Sequence, residues 1–140
     1  MPGLRRLAVP RMRCGKAAAS RAVAGGMTQQ FESDMNAVDM HSEFLRADLF
    51  LAMGQPTEAA RILQRVVEAE PANEAALELL ARAYFGSAQL TRSEEALTRL
   101  VQLAPANGWA RRALARTLER QSRGDEAGPH HRMADALGAA

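Results

Sequence analysis

Between residues 39 and 138 the apolar positions recur at intervals of three and four, as in Ile62, Leu63, Val66, Val67 and in Leu77, Leu80, Ala81, Tyr84. That spacing gathers them on one face of an α-helix, and the period-two alternation of strands is missing. Short polar links break the runs at Gly54-Gln55-Pro56 and Ser87-Ala88-Gln89-Leu90. Pro71 and Pro105 end two more, because proline cannot continue a helix. The pattern predicts six helices, at about 40–53, 57–69, 74–87, 91–103, 108–121 and 126–137. Links this short join antiparallel neighbours.

The pattern repeats every 34 residues. Asp39, Asn73 and Asn107 fall in register, as do Ala47, Ala81 and Ala115, then Phe50, Tyr84 and Leu118, and Pro71 with Pro105. Residues 38–71 share eight identities with residues 72–105, among them Leu45/Leu79, Thr57/Thr91, Leu63/Leu97 and Val67/Val101. Each registered position has a physical task. Asp39, Asn73 and Asn107 can cap the first helix of each pair by accepting from free N–H groups. Thr57, Thr91 and Asp125 are expected to cap the second helices, and Thr91 with Glu94 has capping-box spacing. The three alanines allow two helix axes to approach closely. In the third copy Gly128, Pro129, His130, His131, Arg132 and Asp135 replace apolar residues, as the outer face of a terminal repeat requires. Pro129 fits there if its helix begins near Asp125 or restarts at the proline itself.

This register resembles the tetratricopeptide repeat family. The first copy carries Ala47, Phe50, Gly54, Ala59, Leu63 and Pro71 at hallmark positions. The second keeps Leu77, Leu80, Ala81, Tyr84, Leu97 and Pro105 but has Ala88 for the usual Gly and Ser93 for the usual Ala. The third keeps Leu114, Ala115, Leu118 and Ala127. The resemblance implies a right-handed α-solenoid of three antiparallel helix pairs, at about 40–71, 74–105 and 108–138. It also implies a non-catalytic scaffold whose first helices line a concave groove that binds a protein or peptide partner. Carried over by register, the groove takes Phe44 from the first pair, Arg82 and Phe85 from the second, and Trp109, Arg112, Arg116 and Arg120 from the third.

Charge sharpens that expectation. The last three arginines are spaced i, i+4, i+8 and form one stripe. Guanidinium groups take carboxylates in bidentate fashion, which points to an acidic segment or a C-terminal carboxylate. The alternative is a solvated Arg face paired to Glu78 and Glu119.

Residues 1–26 hold six basic residues and no acidic ones, whereas the remaining 114 are net negative, so the pI of about 9.3 belongs to the tail. Residues 1–38 are expected to be a basic, disordered extension, because such compositions form no core. Use of this tail on nucleic acid is the alternative reading, a less favoured one, since the folded part is acidic.

Chemistry is scarce. No apolar run reaches the roughly 18 residues of a membrane span. Cys14 is the only cysteine, which excludes an intramolecular disulfide. His130 and His131 are adjacent, so on a helix they point about 100° apart and do not chelate one metal together. The sequence predicts no catalytic residue, metal or cofactor. A cytoplasmic location and self-association through the apolar edge of Phe44, Leu45 and Leu49 complete the expectations.

Overall fold

The computed structural model describes residues 28–37 and 39–140. Residues 28–37 are helical, a departure from the unstructured extension that composition suggests. The segment contains helix-compatible Gln, Glu and Met. Gln30 donates to the Asp34 carboxylate at 3.0 Å and the Ser33 hydroxyl to the Gln29 carbonyl at 3.0 Å, both one turn apart. The remainder of the 1–38 extension lies outside the described residues.

Residues 40–140 form a compact unit of their own. It contains α1 (40–52), α2 (Pro56–Ala69), α3 (Glu74–Gly86), α4 (Leu90–Leu103), α5 (Gly108–Arg120) and α6 (Gly124–Ala136), and no strand occurs among the described residues. Each helix from α2 to α6 packs on the next, which builds a right-handed solenoid of three antiparallel pairs. The core runs through the pairs as Ala47, Leu63, Val66, Leu77, Ala81, Leu97, Leu100, Leu114 and Leu118. Ala47, Ala81 and Ala115 are all buried, as close helix packing requires.

Ser93 explains its own departure from Ala. It is fully buried at a helix crossing, and its hydroxyl donates to the Ala81 carbonyl at 3.2 Å, which satisfies the one polar group it brings inside.

The turns repeat with the period of the sequence. After α1, α3 and α5 the residues Gly54, Ala88 and Ser122 have φ of +74°, +60° and +62°. The next amides, of Gln55, Gln89 and Arg123, reach back to the carbonyls of Phe50, Tyr84 and Leu118 at 2.9, 2.8 and 2.9 Å. These are Schellman closures, which require a left-handed residue at the turn.

Asn73 and Asn107 cap α3 and α5 as expected, each accepting through Oδ1 from the amide three residues on, at 3.0 Å. Asp39 is itself helical rather than a cap. The second helices differ from expectation. They begin at Pro56, Leu90 and Gly124, behind Gln55, Gln89 and Arg123, whose side chains make no cap bond. Thr57, Thr91 and Asp125 are therefore second helical residues, not caps. The Schellman turn sets this start, because it closes on the residue just before the helix. Glu94 is left free of a capping box and instead meets Arg123 Nη1 at 2.9 Å, from 29 residues away. Arg123 also binds Glu126, which holds the Glu126 carboxyl below the ordinary carboxylate range. In α6, Pro129 stands inside an unbroken helix that begins at Gly124. It costs one backbone bond, the one to the Asp125 carbonyl.

Candidate functional site

The site grows from the register. Helices α3 and α5 occupy equivalent places in successive pairs, so Arg82 and Arg116, 34 residues apart, lie side by side. Between these helices opens a groove of about 500 Å³. Its walls are Ala81, Arg82 and Phe85 of α3, Ser93 and Leu97 of α4, and Trp109, Arg112, Arg116 and Thr117 of α5. Residues 137–140 also line it.

Two cation–π contacts tie α3 to α5. The Arg82 guanidinium sits 5.0 Å from the Trp109 ring centroid, and that of Arg120 sits 4.7 Å from the Phe85 ring. Arg82 also bonds Glu78 at 2.9 Å, and Arg120 donates to the Phe85 carbonyl at 3.4 Å. Arg112 is only 16% exposed, and its two Nη groups are engaged with α6 and the C-terminal residues, while its buried Nε has no partner. It pairs with Asp135, donates to His131 Nδ1 at 2.8 Å and donates to the Ala139 carbonyl at 3.1 Å. Because Arg112 can only donate, the His131 proton resides on Nε2, which donates to Glu119 at 2.8 Å. Arg116 is exposed on the groove wall and forms no ion pair among the described residues.

The predicted residues thus separate. Arg82, Phe85, Trp109, Arg112 and Arg116 line the groove together. Phe44 packs against the core of the first pair and is not on this wall. Arg120 lies beside the wall, folded over Phe85. The stripe is divided by its partners: Arg112 faces α6, Arg120 faces α3, and Arg116 between them faces the groove. Glu119 is taken by His131 rather than by arginine.

Sequence reasoning did not find Leu137–Ala140. A Cβ on Gly108 would come within 2.7 Å of the Ala139 Cβ and 3.2 Å of the Leu137 Cβ, so this segment seats directly on the start of α5. The single available signal was glycine at 108, where the second copy has Glu74.

Among the described residues no group of three or more His, Cys, Asp or Glu could hold a metal ion. No described helix is long and apolar enough to cross a membrane.

Residues 50–105 match the tetratricopeptide repeat family. Over those residues the chain resembles that family, and its all-helical repeat fold is the one the family shares. Solved structures of MamA repeat proteins superpose on it. A MamA mutant does so with TM-score 0.68 at 23% identity, over 71% of this chain and 72% of that one. MamA from residue 41 onward of Desulfovibrio magneticus RS-1 gives TM-score 0.68 at 27% identity, over 71% of this chain and 56% of that one. The chain therefore spans little more than half the length of the second relative. No curated protein sequence matches this repeat protein. Tetratricopeptide repeats are protein-interaction scaffolds and are typically non-catalytic.

Proposed function

We propose that this repeat protein is a non-catalytic scaffold of the cytosol that holds an acidic peptide segment of a partner protein in the groove between α3 and α5. The observation that carries the reading is Arg116, a guanidinium on the wall of a 500 Å³ groove with no ion pair of its own among the described residues. Arg82 stands beside it with a single carboxylate partner, and Trp109 and Phe85 supply apolar contact. Arg and Trp together are the side chains that dominate binding hot spots. Arg112 belongs to the fold rather than to the ligand, since three partners already hold it.

Titration calorimetry tests this with a peptide of alternating Leu and Glu and its Leu/Gln counterpart. The acidic peptide binds more tightly, and Arg116→Ala weakens it about tenfold, the loss of one charge-assisted bidentate contact. Equal affinity for both peptides, or unchanged affinity in Arg116→Ala, refutes the reading.

A further inference from the structure

After α6 the backbone departs from the course it takes after α2 and α4. Positions 70, 104 and 138 are equivalent in the 34-residue register. Glu70 and Ala104 leave their helices with φ of −131° and −133°, and Pro71 and Pro105 carry the chain on toward the next capped helix. Gly138 instead has φ of +77°, which glycine adopts without a Cβ clash. Ala139 stands where the earlier copies have proline, and its amide donates to the Ala134 carbonyl at 2.9 Å. Proline has no N–H to make that bond. The glycine and the missing proline together turn residues 137–140 back toward α5.

The contacts of the turned segment place it in the groove. The Cβ atoms of Ala139 and Leu137 lie 2.7 and 3.2 Å from where a Cβ on Gly108 would stand, at the first residue of α5. The Ala139 carbonyl accepts from Arg112 Nη2 at 3.1 Å. All four residues line the groove that also holds Trp109 and Arg116. None of them is anchored in the core: Leu137 is 39% exposed, Gly138 and Ala140 are exposed and Ala139 is half-buried. A segment with so little buried apolar surface opens at small cost.

We propose that residues 137–140 are an intramolecular strap, which occupies the Gly108 end of the groove and is displaced when a peptide binds. The proposal rests on the groove reading given above. A peptide that follows α5 from Arg116 past Trp109 reaches Gly108 within about 12 Å, at 1.5 Å per helical residue, and meets Ala139 there. The apparent affinity of the groove is then reduced to the fraction of molecules whose strap is open. One hydrogen bond to a charged group sets a closed population about ten times the open one. The strap thus acts as a threshold that weak ligands do not pass.

Calorimetry on the full chain with the Leu/Glu and Leu/Gln peptides tests the strap through two variants. Gly108→Ala puts a methyl group where Ala139 sits, and alanine is the better helix former, so the strap is expelled while α5 is kept. Gly138→Pro forbids the positive φ and sends the chain onward as in the earlier copies. Both variants are expected to bind the Leu/Glu peptide about tenfold more tightly than the parent, with helical circular dichroism retained. Parental affinity in both overturns the strap, and a persisting loss in Arg116→Ala then leaves the groove reading in place. A gain confined to Gly108→Ala also overturns it, since that gain would come from α5 and not from the strap. An equal gain for both peptides, with no preference between them, upholds the strap and removes the acidic preference instead. No binding of either peptide by either variant overturns both readings.

Discussion

Three turns at the same register position offer an internal experiment on backbone strain. Gly54, Ala88 and Ser122 all adopt left-handed φ, between +60° and +74°, and only the first is glycine. A residue with a Cβ loses about 1–2 kcal/mol in that conformation. Glycine escapes the clash but loses more backbone freedom on folding, about 0.5–1 kcal/mol. The balance for Ala88→Gly is a gain of roughly 0.5–1 kcal/mol, and Ser122→Gly gains a similar amount. Gly54→Ala is the mirror image. No atom lies within 4 Å of a Cβ built there, so its cost is backbone strain alone and not crowding. For a unit of about 100 residues, 1 kcal/mol moves Tm by roughly 4–8 °C. Thermal unfolding followed by circular dichroism should show Ala88→Gly several degrees above the parent and Gly54→Ala several degrees below it. The two glycine gains should add, because the turns share no partner. A fall in Tm for Ala88→Gly, or indifference to Gly54→Ala, would refute the strain argument.

Two further expectations concern the α5–α6 contact. Removing Arg112 by Arg112→Ala breaks its bonds to Asp135, His131 and the Ala139 carbonyl, and urea unfolding should register a loss of about 1.5–3 kcal/mol, as for a hydrogen-bonded charge. His130 is pushed below the ordinary histidine range, chiefly by burial and then by the Arg111 charge and the neighbouring His131. The unfolded chain therefore takes up this proton first. Stability from His130 is intact above an unfolded value of about 6.5, declines as pH falls from there toward the lower folded value, and levels off beneath it. Tm measured from pH 7 downward should fall less steeply in His130→Gln than in the parent.

The repeat and its helices were legible because they are written locally. A helix face needs only spacing, Asn73 and Asn107 need only the amides three residues on, and the family register needs only the period. The starts of α2, α4 and α6 were less legible, since Thr57, Thr91 and Asp125 look like caps to any local reading. The Schellman turn that overrides them depends on a bond to a carbonyl five residues back. The groove lies between these cases. Register put Arg82, Phe85, Trp109, Arg112 and Arg116 together, and they line it together. What separates Arg112 from Arg116 is long-range: Arg112 meets partners 19, 23 and 27 residues away. Spacing along one helix carries no information about those.

Trp109 is the only tryptophan in the chain, and it stands on the groove wall beneath the Arg82 guanidinium. The molecule therefore carries a built-in optical reporter at this one place. An anion drawn toward Arg82 would shift the cation over the indole, and its emission would change without any label. Events at the Leu45 and Leu49 edge of α1 or in α6 that leave the groove untouched would stay dark, so one spectrum can separate occupancy of the groove from association of the chain.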